Sequence, residues 1–402
     1  MQRGVATSSD LQSFVPFNCV SQVGTESRYI AEAFAAQHIS GDGIFTRRCH
    51  EILEAELGVE KALLTTSCTH ALEMSSLLLD IQPGDEVILP SFTFPSVANA
   101  FVLQGAKPVF ADIRPDTLNI DETCLEELIT PATKVILPVH YAGVACEMDG
   151  ICELAARYGL TIVEDNAHGL FARYRGRPLG SFGRLATQSF HQTKNFSSGE
   201  GGALLLNDRL LIERAEIIRE KGTNRKQFYR GQVDKYTWLD KGSSFLPSDI
   251  LAAVLFAQFE VRKEIQRKRR QVWNTYEREL AEWAARNQVK LPSVPEHCEQ
   301  SFHMFYLLLP SLEARAALIE HLAARQIMSV FHYMPLHLSQ MGSRFGGYPG
   351  QCPVTETVSD CIVRLPLHSK LSESDLGRVI EAIQEFPFPP AQPNPLYLLI
   401  RG

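Results

Sequence analysis

The chain has 402 residues, a formal net charge of −7, 45% hydrophobic and 21% charged residues. That length predicts one large and one smaller domain rather than a single small core. The mild acidity argues against a general nucleic-acid or membrane-surface binder, so an anionic ligand would need a local basic patch.

No apolar run reaches the roughly 18 residues of a membrane span, and no hydrophobic stretch follows Met1, so neither a span nor a signal peptide is expected. Nine scattered cysteines without zinc spacing predict reduced thiols, no bound metal and a cytoplasmic location.

In chain order, residues 1–12 read as a flexible N-terminal extension and residues 13–250 as a large α/β domain. Leu63-Leu64-Thr65 reads as a strand end, followed by the small-residue turn Thr66-Ser67-Cys68-Thr69 and a helix start. Val87–Pro90, Pro108–Asp112, Val135–Val139 and Thr161–Asp165 are short apolar runs expected as buried strands. Met148–Tyr158 carries apolar residues at helical spacing. This alternation predicts a mostly parallel sheet with both faces covered, and ligands beyond the carboxyl ends of its strands.

Leu210–Lys221 and Ser248–Leu280 are helical in pattern. Residues 251–290 are expected as a connecting helix, with Arg267-Lys268-Arg269-Arg270 on a solvated face. Residues 291–385 read as a smaller C-terminal α+β domain with strands at Phe305–Leu309 and Met328–Tyr333. The proline-rich tail, residues 386–402, is expected to lie extended outside the compact fold.

Chemistry concentrates around Lys194. It stands in Ser189-Phe190-His191-Gln192-Thr193-Lys194-Asn195, after a β-branched strand that ends in Glu164-Asp165. A strand ending in an acid, a polar turn and a lysine on a separate loop is the layout of a pyridoxal phosphate (PLP) site. The lysine amine would form a Schiff base with the cofactor aldehyde, and the acid would keep the pyridine nitrogen protonated. Side chains alternate along a strand, so only one of Glu164 and Asp165 faces the ligand; Asp165, at the strand end, is the expected partner.

The Ser67-Cys68-Thr69 helix start offers backbone N–H groups to a phosphate, with Thr69 and Cys68 as the contacts. It equally fits an ordinary helix cap. Ser189 adds a hydroxyl. Of Phe92 and Phe94, Phe94 is expected to stack on the cofactor ring and Phe92 to be core. His168 either reaches the cofactor or is a structural histidine.

Gly41-Asp42-Gly43 with Phe45-Thr46, Pro83-Gly84-Asp85-Glu86-Val87, Pro138-Val139-His140-Tyr141-Ala142-Gly143, Glu164-Asp165, Lys194-Asn195 and Gly199-Glu200-Gly201-Gly202 recur as a set. Over about residues 14–385 the chain resembles the DegT/DnrJ/EryC1/StrS family of sugar-nucleotide aminotransferases. The resemblance implies an aspartate-aminotransferase-like fold (fold type I): a large domain with a mostly parallel, seven-stranded mixed sheet, plus the smaller α+β domain. It also implies PLP, a homodimer with shared active sites, glutamate as amino donor and a dTDP-linked keto-sugar as acceptor.

By motif position, Lys194 is the Schiff-base lysine and Asp165 the pyridine partner; Phe94 stacks, and Thr69 and Ser189 hold phosphate. Cys68 replaces a glycine common in the family, and His168 a common glutamine. Gly242–Leu246 replaces a segment with asparagine or arginine, which leaves Ser244 as the expected cross-subunit phosphate contact. Arg225, Tyr229, Arg230 and Tyr236 form the basic, aromatic surface expected to hold the acceptor's diphosphate and base. His332 and His337 are expected near the sugar, with a core role as the alternative. Rival readings are a 3-keto or gluco-configured sugar acceptor and a non-catalytic regulator on the same fold. Retention of Lys194, Asp165 and the phosphate turn argues against the regulator.

Overall fold

The computed structural model describes residues 14–388 and Tyr397; the expected extension at 1–12 lies outside them. Seven short strands build the main sheet: β1 (Lys61–Thr65), β2 (Glu86–Pro90), β3 (Lys107–Ala111), β4 (Thr133–Ile136), β5 (Thr161–Asp165), β6 (Leu185–Ser189) and β7 (Gly202–Leu206). Their order is β1-β7-β6-β5-β4-β2-β3. Only β7 runs antiparallel to its neighbours, so the sheet is mixed but mostly parallel.

The strands are apolar because both faces are covered. Along β1, Leu63 faces a cluster with Leu72, Phe101 and Ile218. Ala62 and Leu64 face the other side, against Phe45, Leu53 and Phe256. Each such large side chain contributes about 1.5–3 kcal/mol on burial.

Two junctions explain the family-like glycine motif near the start. Asp249, fully buried, accepts from Phe45 N, Thr46 N and Thr46 Oγ1 at 3.3, 2.7 and 2.7 Å. A Cβ on Gly43 would fall 2.3 Å from that carboxylate, so only glycine fits. Asp42 pairs with Arg219 at 2.8 Å and Lys226 at 3.1 Å. The motif therefore ties helices Ile44–Leu57 and Asp249–Glu260 together.

Beyond the sheet, the expected single helix over Ser248–Leu280 is two, Asp249–Glu260 and Arg262–Arg286, broken at Val261. Its charged face is not wholly solvated: Arg269 is buried and donates to the carbonyls of Phe302 and His303 at 3.0 and 2.6 Å. A second sheet pairs β8 (Phe305–Leu308) with β9 (Ile362–Leu365) antiparallel.

The strand expected at Met328–Tyr333 is absent. Only Val330 bridges to Arg364, after which the chain leaves the sheet edge. The expected tail lies almost wholly outside the described residues. Tyr397, however, is fully buried, and its hydroxyl lies 2.7 Å from the carbonyls of Gln288 and Leu308, so the tail returns to the fold there.

Candidate active site

The carboxyl ends of β1, β5 and β6 meet the start of the reversed strand β7. Thr65 and Ser189 both register against Gly202, and Asp165 registers with Thr187. A Cβ on Gly202 would lie 2.4 Å from Cys68 N, so glycine lets β7 pass directly against the helix Cys68–Leu78. That helix is capped by Ser67, whose side chain accepts from His70 N at 3.1 Å. The N–H groups of Cys68 and Thr69 belong to the first turn, which has no preceding helical carbonyl to satisfy it.

Above this edge lies a cavity of about 450 Å³ lined by Cys68, Thr69, Phe94, Asp165, His168, Ser189 and Lys194. The strand alternation is resolved as expected. Asp165 opens into the cavity, its Oδ1 also accepting from Ala167 N at 2.9 Å. Glu164 turns away and is fully buried, accepting from Gly180, Phe182 and Gly183 N–H at 2.7–2.8 Å. His140 Nε2 lies 3.0 Å from the same carboxylate.

Burial pushes the Lys194 amine down to about 8, against the opposing pull of Asp165 and Cys68. Burial raises Asp165, with Lys194 and the Ala167 N–H acting the other way.

The Lys194 loop is held from outside. Asn195 Nδ2 donates to Ser301 O at 2.7 Å, and Asn195 Oδ1 meets His303 Nδ1 at 2.9 Å. His168 stacks on His303 with ring centres 4.2 Å apart, and His332 stacks on Tyr333 at 3.6 Å. Burial holds all three histidines well below their ordinary range, hence neutral. His168 Nδ1 is enclosed without a partner. Phe94 is 58% exposed and carries its ring into the cavity, whereas Phe92 is buried against Tyr141.

Not every expected residue arrives here. His337 is fully buried between Ser91 Oγ at 2.6 Å and Glu356 Oε1 at 3.0 Å, a core position away from this cavity. Ser244, Arg225, Tyr229 and Arg230 line a separate cavity of about 920 Å³ on the same chain. There Arg225 donates to the Tyr229 hydroxyl and Arg230 pairs with Glu216 at 2.8–2.9 Å. Tyr236 stands exposed, edge-on to Phe228. His332 does reach the Lys194 cavity, together with residues that sequence reasoning missed: Phe17, Asn18, His303, Tyr333 and Arg364. These come from residues 17–18 and 303–364, far from Lys194 in sequence, and carry no local motif; the one available signal was Arg364 beside the buried run Leu365-Pro366-Leu367.

The model of the DegT/DnrJ/EryC1/StrS aminotransferase family matches residues 21–384. The chain belongs to this family. It is 34% identical over 366 residues to GDP-perosamine synthase of Caulobacter vibrioides, covering 90% of this chain and 95% of that one. Among solved structures it is similar to DesV of S. venezuelae (TM-score 0.85, 30% identity, 92% and 98% covered). It is also similar to the PLP form of the sugar aminotransferase Spr1654 of Streptococcus pneumoniae (TM-score 0.85, 26% identity, 96% and 99% covered).

Aminotransferases of this family are PLP-dependent, and the residues present fit that cofactor. The cavity joins a helix start suited to a phosphate, a buried acid, a lysine with a lowered pKa and the unpartnered His168 Nδ1. Among the described residues no helix is long and apolar enough to cross a membrane.

Proposed function

We propose that this aminotransferase moves the amino group of glutamate to C4 of dTDP-4-keto-6-deoxy-D-glucose, giving dTDP-4-amino-4,6-dideoxy-D-galactose for a surface polysaccharide. The observation that carries the reading is Lys194, its amine lowered to about 8, in one cavity with Asp165 and the Cys68–Thr69 helix start. The sugar class is supported by relatives named as sugar aminotransferases and by one whose named product is GDP-perosamine. The galacto-configured product rests on resemblance to dTDP-4-amino-4,6-dideoxygalactose transaminase in Thr66–Thr69, Ser91–Phe94, His140–Asp149, Glu220–Arg225 and Gly231–Trp238.

When bound, PLP supplies a carbonyl that carries the amino group and a ring that accepts electrons. The chain's residues do the rest. Asp165 holds a proton on the ring nitrogen through a charge-assisted hydrogen bond. Cys68 N–H, Thr69 and Ser189 hold the phosphate, Phe94 covers one ring face, and neutral His168 offers Nδ1 to the other side of the site. Lys194 Nζ takes the proton from the amine-bearing carbon of glutamate and returns one to C4 of the sugar. A pKa of about 8 keeps part of that amine neutral at physiological pH, as a base must be.

Ser244, Arg225, Tyr229, Arg230 and Tyr236 lie outside their own chain's Lys194 cavity. In the homodimer of this proposal they serve the partner's site, gripping the acceptor's phosphates and base. The division into 13–250, 251–290 and 291–385, and work in the cytoplasm, belong to the same proposal. The test is incubation with glutamate and dTDP-4-keto-6-deoxy-D-glucose, with NMR of the product. An axial C4 amine supports the reading; an equatorial C4 amine, or an amine at C3, overturns the assignment of the product.

A further inference from the structure

Tyr397 lies beyond residues 21–384, the span matched by the family model, yet it is fully buried. It belongs to one cluster with Phe92, Tyr141, Met304, Tyr306 and Ile362. Phe92 and Tyr141 follow strands β2 and β4 of the main sheet, Met304 precedes β8, and Tyr306 and Ile362 lie in β8 and β9. One tyrosine of the tail therefore sits where the two sheets meet.

Its hydroxyl is held as closely as its ring. The single proton is shared between Gln288 O and Leu308 O, each at 2.7 Å. Leu308 O also receives Lys290 N at 3.1 Å, and Lys290 Nζ donates to Pro115 O at 2.9 Å, on the loop after β3. The phenol thus joins the turn after the helix Arg262–Arg286 to strand β8, at a point already tied to the main-sheet side. Earlier in the tail, the Phe388 ring lies 5.6 Å from that of Trp283 on the same helix. An apolar slot that ends in two carbonyl acceptors suits a phenol. Phenylalanine would withdraw the donor from both carbonyls, and a smaller side chain would leave a void.

The front of the same cluster is a wall of the Lys194 cavity. Met304 lines that cavity, as do His332 and Tyr333. Tyr333 packs against the cluster, its ring centre 5.6 Å from that of Phe92, which is itself 5.1 Å from Tyr141. The Tyr141 hydroxyl is 3.1 Å from His332 Nδ1. Backbone pairing does not hold this stretch. Val330 N donates to Arg364 O at 3.2 Å and Leu336 N to Ser91 O at 3.0 Å; between them, among the described residues, 331–334 make no backbone-to-backbone hydrogen bond. Ring packing therefore places His332 and Tyr333.

We propose that Tyr397 occupies a phenol-binding slot behind the active site and, by filling it, fixes the His332–Tyr333 wall of the Lys194 cavity. Tyr397 does not line that cavity; it is a positioning residue that acts through Phe92 and Tyr141. The proposal rests on Lys194 carrying PLP and not on the identity of the sugar.

The test compares PLP-loaded wild type, Y397A and Y397F, with p-cresol as the probe and toluene as its counterpart without the hydroxyl. Calorimetry should show p-cresol binding to Y397A about 3- to 10-fold more tightly than toluene, and to neither wild type nor Y397F, whose slots are filled. The wall is read with hydroxylamine, which takes the cofactor's carbonyl carbon from the Lys194 amine, forming an oxime and discharging the visible band. Discharge should be at least about fivefold faster in Y397A and within about twofold of wild type in Y397F. Saturating p-cresol should return Y397A toward the wild-type rate.

Equal discharge in wild type and Y397A, or a faster rate in Y397A that bound p-cresol leaves unchanged, would make Tyr397 an anchor of the tail alone and overturn the proposal. No p-cresol binding to Y397A, or binding no tighter than that of toluene, would overturn the slot. A wild type without a band that hydroxylamine discharges would refute the Lys194 reading instead. Hydrogen exchange of the 331–334 amides, which needs no cofactor, then decides: exchange that Y397A speeds and p-cresol slows supports the wall, and equal exchange in the two proteins overturns it. Should Y397A fold poorly, Y397L leaves a smaller gap and is judged by the same hydroxylamine comparison.

Discussion

Lys194 is held in the cavity at a cost to stability, and replacing it with methionine should expose that cost. Its amine falls from 10.5 to about 8 on burial, which corresponds to about 3 kcal/mol at full burial. Lys194 is only half-buried, and solvent screening brings the figure to about 1–2 kcal/mol. The sign follows from linkage. The folded pKa lies below the unfolded one, so the penalty is full below pH 8 and is relieved as pH rises from 8 toward 10.5.

Lys194→Met should therefore raise the Tm of the PLP-free protein at pH 7. With about 2.1 cal/mol/K per residue over 402 residues, the rise is about 1–3 °C. By pH 9.5 more than half of the electrostatic gain should have vanished. Scanning calorimetry of both proteins at pH 7 and pH 9.5 makes the comparison. A Tm difference of equal size at the two pH values would refute the reasoning, because it would show that Lys194 titrates alike in the folded and unfolded chains.

Other expectations follow from the same geometry. Asp165→Asn removes the charge that raises Lys194, so the acid limb of the glutamate step, where the amine is protonated, should move to lower pH while the step slows about 100- to 1,000-fold; a pH–rate profile of the single half-reaction measures both. Gly202→Ala places a Cβ 2.4 Å from Cys68 N, so PLP affinity should drop by at least about tenfold in a fluorescence titration while circular dichroism stays native. Glu164→Gln leaves three buried N–H donors with one acceptor oxygen fewer, which should cost about 2–4 kcal/mol in chemical denaturation.

Much of the main sheet was legible because each strand is a continuous apolar run between turns. Thr161–Asp165 and the Met148–Tyr158 helix coincide with their sequence expectations. Burial on both faces leaves so strong a pattern that it survives without context. The Cys68, Thr69, Asp165 and Lys194 positions were legible for a related reason, since all sit at strand ends or in the loops that directly follow them.

The other wall of the cavity was not. His303, Tyr333 and Arg364 meet Lys194 only after the second sheet folds back, and of the three only Arg364, beside the buried run Leu365-Pro366-Leu367, has a local signal. His337 lies four residues after Tyr333 in a stretch rich in polar rings, and only its Ser91 and Glu356 partners reveal a core role. Arg269 read as solvated because charge runs usually are; two backbone carbonyls of the 302–303 loop make it an exception. At Met328–Tyr333 the β-branched and aromatic composition suggested a strand, but the segment has only isolated pairings, Met328 N to Val15 O at 3.0 Å and the Val330–Arg364 bridge.

The most direct test of the central claim is a set of absorbance spectra of the purified, PLP-loaded protein: alone, after glutamate, and after subsequent dTDP-4-keto-6-deoxy-D-glucose. The account predicts a visible band near about 420 nm that glutamate converts to one near about 330 nm, and that the sugar restores. Its loss in Lys194→Ala would tie the band to that amine. A band indifferent to glutamate, or one that glutamate converts and the keto-sugar does not restore, would contradict it.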